Sequence, residues 1–309
     1  VPNIIATTNG TLPLQIAIKA LGLKGEIITT PFSYVATTSS IVWEGCTPVF
    51  VDIHPEYLTI DETKIEKAIT FRTTGILETH VFGNPCNVEA IETIAKKHDL
   101  KVIYDAAHCF GVTYKGRSIF EFGDISTCSF HATKLFHTGE GGALFTKNYE
   151  LNLKLFYQHN FGHKDQETFQ GLGINAKMSE PQAALGLSVL PYLSSILKGR
   201  ERVVNTYKKN LKNSGLQFLK LREETNWNYS YFPVIFKDEK TLLKVKAALE
   251  KEEIFPRRYF YPALNTLPYV KNQACINSST ISESILCLPL FSNISKKNIE
   301  DISRIINSC

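Results

Sequence analysis

The chain of 309 residues is 43% hydrophobic and 21% charged, which excludes a disordered, collagenous or low-complexity polypeptide and suits one large domain with a smaller companion. Lys and Arg number 34 against 30 Asp and Glu, a net charge of +4 without a basic block, so neither nucleic acid nor a membrane surface is implied as a partner. No uninterrupted apolar run reaches about 18 residues, and the seven cysteines are scattered without a C-x-x-C pair; the chain reads as cytoplasmic, with no transmembrane helix and no zinc site.

In chain order, Val1-Pro2-Asn3 opens inside a strand-like run with no signal-type segment, which implies that upstream residues are missing. Short β-rich runs follow at Glu26–Thr30, Pro48–Val51, Gly75–Val81, Lys101–Tyr104, Ser126–Phe130 and Ala143–Thr146. Helical patterns at Leu12–Leu23, Val35–Glu44, Asp61–Ile69 and Val88–His98 separate the earlier ones. Continuous apolar strands alternating with helices predict an α/β fold whose mostly parallel sheet is covered on both faces. Beyond about Glu180 the pattern changes to a long helical stretch, Pro181–Lys212, then a β-like run at Tyr229–Phe236 and a helix at Lys240–Glu252. A strand near Ile254–Tyr261 and a helix at Lys296–Ile306 complete what reads as a smaller α+β domain.

In such sheets ligands gather at the carboxyl ends of the strands, so the residues just after each strand matter most. Asn9-Gly10-Thr11 opens the first helix, where free N–H groups and a hydroxyl make a phosphate seat; an ordinary N-cap and turn is the competing reading. Tyr34 follows a strand and can lie against a planar group or simply fill the core. Asp105 sits at a strand end, where a buried carboxylate needs a partner such as a protonated pyridine nitrogen, or else caps the next segment. His108 is equally readable as a core histidine. Lys134 follows the strand ending at Ser129, in a turn closed by glycines, where a lysine can be desolvated and made nucleophilic rather than left on the surface. Asn175 reads as a cap before the helix near Ser179. Arg257-Arg258-Tyr259 and Tyr261 offer cations and hydroxyls to an anion, or form a surface cluster. A phosphate seat, an aromatic platform, a strand-end Asp and a Lys match what pyridoxal phosphate requires. His159 and His163 are four apart, but in a loop-like segment far from Glu180, so no metal is expected.

The stretches Asn9–Thr11, Pro31–Thr37, Pro48–Asp52, Tyr104–His108, Ser126–Gly142 and Met178–Ala184 resemble, in order and spacing, the DegT/DnrJ/EryC1/StrS sugar aminotransferases of pyridoxal-phosphate fold type I. The resemblance continues to Arg257–Pro262 and Cys287–Leu290. It implies a pyridoxal-phosphate-binding large domain over 1–200 and a small domain over 201–309. Lys134 is implied as the Schiff-base lysine and proton shuttle, and Asp105 as the partner of the ring nitrogen. Tyr34 would stack on the ring, with His108 near its phenolic oxygen. Gly10, Thr11 and Ser129 would hold the phosphate, and Asn175 would reach it from a second subunit, which implies a homodimer with shared sites. Arg258, Tyr259 and Tyr261 would meet the substrate.

Phe82–Cys86, Ser129–Lys134 and Gly173–Met178 are most similar to the VioA-type branch, which aminates C4 of dTDP-4-keto-6-deoxy-glucose with L-glutamate for O-antigen or other surface glycans. A lysine rather than His at 134 disfavours the relatives that deoxygenate sugars. Members carry a few dozen residues before the Asn-Gly-Thr motif, so a shortened chain with impaired activity is one expectation. Amination at C3, another nucleotide, or a non-catalytic pyridoxal-phosphate relative are the alternatives. A nicotinamide reductase or a serine hydrolase lacks its G-x-G-x-x-G or G-x-S-x-G motif here.

Overall fold

The computed structural model describes residues 1–309. The first elements are β1 (Asn3–Thr7), α1 (Leu12–Ala20), β2 (Glu26–Thr29), α2 (Val35–Trp43), β3 (Thr47–Phe50), α3 (Ile65–Ala68), β4 (Thr73–Thr79), α4 (Val88–Lys97) and β5 (Lys101–Asp105). A short hairpin, β6 (Thr113–Tyr114) and β7 (Arg117–Ser118), precedes β8 (Ile125–Ser129), β9 (Gly142–Thr146) and α5 (Tyr149–His159). Then come α6 (Glu180–Val189), α7 (Leu193–Asn210), β10 (Gln217–Phe218), β11 (Thr225–Asn226) and β12 (Pro233–Ile235). The chain ends with α8 (Glu239–Lys251), α9 (Ile276–Ser284), β13 (Ile285–Cys287) and α10 (Lys296–Ser308).

Seven strands form the central sheet in the order β1-β9-β8-β5-β4-β2-β3. All run parallel except β9, which is antiparallel to both of its neighbours. Alternate strand residues point to opposite faces, so each strand serves two cores. Ile27, Leu77, Ile103 and Leu144 pack under α1, α2 and α5. Ile28, Ile76, Val102 and Tyr104 pack with Val88, Ile91 and Ala95 of α4. Each such buried aliphatic side chain contributes about 1.5–3 kcal/mol of transfer free energy. This two-sided burial explains why the strands read as unbroken apolar runs.

A third core is built only from later residues, Val203 to Ile306, around the sheet β10-β12-β13. The boundary expected after residue 200 falls inside α7, which enters that core through Val203, Val204 and Tyr207. A shared core of Phe32, Phe82, Tyr231, Phe260 and Ile285 joins this region to the first, and polar ties add to it. β11 pairs with β6. Asp52, just past β3, accepts hydrogen bonds from the Asn277 and Ser278 amides at the start of α9.

Several expected elements differ in the structure. Pro181–Lys212 is broken by a 3₁₀ turn at Leu190–Tyr192, beside Pro191. Asp61–Ile69 holds only a 3₁₀ turn and one helical turn. Tyr229–Phe236 is a strand only at Pro233–Ile235, and Ile254–Tyr261 makes a single bridge, Arg257 to Cys287. Helix α5 has no counterpart among the expected elements; the loop expected around His159 and His163 begins only after its last residue.

Candidate active site

A cleft of about 610 Å³ opens at the carboxyl ends of β4, β5 and β8. Its wall includes Gly10, Thr11, Tyr34, Asp105, His108, Ser129, Lys134 and Tyr259. These residues come from separate turns of the chain and meet only because parallel strands end on one side of the sheet.

Ser129 is the last residue of β8, and the turn after β1 runs against it. A Cβ on Gly10 would stand 2.6 Å from Ser129 Cβ and 2.8 Å from its Oγ, so only glycine permits this approach. Asn9 corrects the simple picture of an open helix N-terminus. Its Oδ1 accepts from the amides of Thr11 and Leu12, each at 2.9 Å. Pro13 has no N–H to offer. The seat left to an anion is therefore the Gly10 amide with the Thr11 and Ser129 hydroxyls.

Asp105 ends β5 and is 5% exposed. Its Oδ1 accepts from the Ala107 amide at 3.1 Å and its Oδ2 from the Thr37 hydroxyl at 2.8 Å. Burial raises its carboxyl pKa, opposed by those two hydrogen bonds and by Lys134. Such a carboxylate gains from a cation placed against it. Lys134 lines the same cleft, and burial lowers its amine pKa while Asp105 pulls it upward. A larger fraction of neutral amine follows, the form that attacks a carbonyl.

Phe82, in a left-handed conformation at φ 55°, donates its amide to His108 Nδ1 at 3.0 Å. Nδ1 is thus an acceptor, and the ring proton lies on Nε2. Burial, then Lys134, holds the His108 pKa well below its ordinary value, so the ring is neutral. Tyr34 stands at the start of α2, 54% exposed and free to cover a planar group.

The expected substrate cluster is divided. Tyr259 reaches the cleft, but Arg258 and Tyr261 are not on its wall. Arg258 Nη2 donates to Glu239 at 2.7 Å and to the Glu283 carbonyl, and its guanidinium stacks 3.7 Å from the Tyr261 ring centroid. The acid on α8 thus pairs with Arg258 Nη2 away from the cleft wall, while Nε has no hydrogen-bond partner. Asn175 is likewise off this chain's cleft; its Oδ1 accepts from Lys177 Nζ.

Other cleft residues have little signal in the sequence. Gln182 holds the Thr8 carbonyl and completes a capping box with Ser179, a motif readable in Ser179-Glu180-Pro181-Gln182. His131 and Glu140 approach to 3.5 Å at the rim. Tyr231 stands behind the cleft wall rather than on it; its hydroxyl accepts from Lys134 Nζ at 3.3 Å across 97 residues of sequence, with no local signal.

The donor set fits pyridoxal phosphate: an anion seat, a buried carboxylate short of a cation, an exposed aromatic and a low-pKa lysine share one cleft. Similarity to known proteins agrees. The chain is 42% identical over 301 residues to a dTDP-4-amino-4,6-dideoxy-D-glucose transaminase of Shigella dysenteriae, covering 95% of this chain and 82% of that protein. It is 36% identical to the Escherichia coli transaminase of the same name, over 99% of this chain and 85% of that one. The structure of DesI with its TDP-sugar product superposes with a TM-score of 0.94 at 31% identity, covering 100% of this chain and 81% of that one. The family model for DegT/DnrJ/EryC1/StrS aminotransferases matches residues 1–307, and the chain belongs to that pyridoxal-phosphate-dependent family.

Proposed function

We propose that this chain transfers the amino group of L-glutamate to the C4 ketone of dTDP-4-keto-6-deoxy-glucose, for a surface glycan such as O-antigen. The observation that carries the reading is a complete lysine–carboxylate–anion-seat cleft in a chain 42% identical to a transaminase whose product name specifies that carbon. When bound, the cofactor supplies an electron sink for the bond broken at the substrate carbon.

The protein's residues supply the rest. Gly10, Thr11 and Ser129 anchor the phosphate. Asp105 holds a proton on the ring nitrogen by its charge, and the Thr37 hydroxyl keeps that carboxylate aimed. Tyr34 covers one ring face, and the Nε2 proton of His108 is offered to the ring oxygen. Lys134, once its amine is free, takes the proton from the glutamate α-carbon and later delivers a proton to sugar C4.

The same reading includes a cytoplasmic homodimer, with Asn175 of one chain reaching the other's phosphate seat. Helix α6 supports it, since Gly186 is its only buried residue and Leu187 is 69% exposed. Leu185, Leu190 and Tyr192 continue that apolar band, a surface that a second copy would cover. No helix is long and apolar enough to cross a membrane, and all seven cysteines are free thiols, which fits a reducing compartment.

The test is an absorbance spectrum of the chain with pyridoxal phosphate, then with L-glutamate, then with the keto sugar. The reading expects a visible band that glutamate bleaches and the keto sugar restores, with the amino sugar as product. A band that glutamate leaves unchanged removes the donor assignment. A folded chain that never develops a band removes the cofactor role of Lys134.

A further inference from the structure

The segment between β11 and β12 carries no role in the chemistry described above, yet it is held against the cleft at several points. Trp227 Nε1 and Ser230 Oγ both donate to the Phe82 carbonyl, at 2.8 and 3.1 Å. Asn228 Nδ2 donates to the His108 carbonyl at 2.8 Å. Arg200 is 8% exposed and has no carboxylate partner; its Nη1 donates to the carbonyls of Tyr229 and Ser230, just before Tyr231. A buried guanidinium given to two backbone carbonyls is an expensive brace unless the segment must be held still.

The group so held is Tyr231. Its ring is 9% exposed and meets the His108 ring edge-on, with centroids 4.9 Å apart. Its hydroxyl accepts from Lys134 Nζ at 3.3 Å. One strap thus touches both the ring that faces the cofactor and the amine that reacts.

We propose that Tyr231 is a positioning residue for Lys134: whenever the lysine amine is free, the phenolic oxygen accepts one of its N–H bonds and fixes where its lone pair points. The inference rests on the proton-shuttle reading of Lys134. An amine released into the cleft keeps four rotatable bonds, and proton transfer needs it within hydrogen-bond reach of the reacting carbon. Donation of one N–H to a fixed acceptor removes most of that freedom and leaves the lone pair available. The phenol makes or breaks no bond itself. Burial pushes its pKa up to about 12, so it stays neutral and does not compete for the proton.

The test is Tyr231→Phe, which keeps the buried ring and removes the oxygen. First, the rate at which the cofactor-free protein links to pyridoxal phosphate is followed against pH, which reports the acidity of Lys134. Loss of an acceptor that favours the charged amine should move this profile to lower pH. Second, the single-turnover rate with α-deuterated glutamate should fall roughly 10- to 100-fold, with a larger isotope effect and little change in glutamate KM. An unchanged pH profile together with an unchanged rate would overturn the proposal. Should Tyr231→Phe fold poorly, 3-fluorotyrosine at 231, isosteric but a weaker acceptor, must shift the profile the same way; no shift overturns it equally. Failure of the wild-type protein to link to pyridoxal phosphate would instead defeat the shuttle reading, and the positioning role with it.

Discussion

Thr37 donates its hydroxyl hydrogen to Asp105 Oδ2 over 2.8 Å, and Thr37 Oγ1 in turn lies 2.7 Å from Ser33 Oγ, which lies 2.9 Å from Thr79 Oγ1. All four side chains are buried. Hydroxyls both donate and accept, so this relay can reorient as the charge state of Asp105 changes. It links the start of α2 to the ends of β4 and β5, and makes the carboxylate's position a property of the sheet rather than of one loop.

Asp105→Asn should therefore trade function for stability. Burial raises the Asp105 pKa above its ordinary 3.8 in the free protein, so its contribution is fully favourable only below that value and is lost as pH rises through the folded value. Asparagine removes the penalty and can still accept from Ala107 while donating to Thr37. The cofactor-free variant should melt at or above the wild-type temperature at pH 7, gain less on adding pyridoxal phosphate, and lose about 100-fold or more in turnover. Calorimetry with and without cofactor checks this; a variant with normal turnover would remove the charge role.

Gly10 and Ser129 form a steric pair that a double-mutant cycle can read. Gly10→Ala places a methyl 2.6 Å from Ser129 Cβ, which forces the seat apart and should weaken cofactor binding roughly 10- to 100-fold. Ser129→Ala loses one hydroxyl and should cost about 1 kcal/mol. Ser129→Gly removes the two closest atoms, Cβ and Oγ, and leaves only the Cα at 3.1 Å. The double variant Gly10→Ala, Ser129→Gly should thus lose much less relative to Ser129→Gly than Gly10→Ala loses relative to wild type, a non-additivity that titration of the cofactor would reveal.

If Asn175 of one chain serves the other chain's cleft, two defective proteins should complement. Lys134→Ala retains Asn175, and Asn175→Ala retains Lys134. A mixed dimer then holds one site with both residues intact and one with neither. Random mixing should restore about a quarter of wild-type activity, while each variant alone stays low. Leu187→Lys, on the exposed face of α6, should shift sedimentation toward the monomer and block the complementation.

Much of this was legible in the sequence for a definite reason. Parallel strands buried on both faces read as apolar runs, so β2, β4, β5 and β8 were located to within about two residues, and strand ends then pointed to Asp105 and Ser129. What was not legible depended on distant partners. Arg258 reads as a free cation until Glu239, 19 residues earlier, is seen against it. Tyr231 acquires its place through distant partners, β6 paired with β11, Arg200, and the Phe82 and His108 carbonyls. Helix α5 escapes notice because Leu155 and His159 are its only buried residues, which leaves a weak apolar stripe.

Glu78 and His80, two residues apart beneath the cleft, should shape the pH dependence of stability in opposite senses. Glu78 is fully buried on β4 and neither carboxylate oxygen has a hydrogen-bond partner, so burial raises its pKa well above 4.5. Its contribution is intact below 4.5 and is lost as pH rises toward the folded value, at about 1.4 kcal/mol per pH unit. His80 stacks on Tyr104 at 4.4 Å, accepts from the Cys86 amide, and is held by burial at a pKa of about 3. Its contribution is intact above 6.5 and is lost as pH falls toward 3. Where the two ranges overlap the slopes oppose each other, so the pair flattens the profile there and leaves a decline on each side. Glu78→Gln should remove the alkaline decline and leave His80 uncompensated, so that the acid decline begins near 6.5; His80→Gln should remove the acid decline and let the alkaline one begin near 4.5. Denaturant unfolding of both variants from pH 4 to 9 would show this, and parallel profiles for variant and wild type would mean that neither group is held in the protonation state its burial dictates.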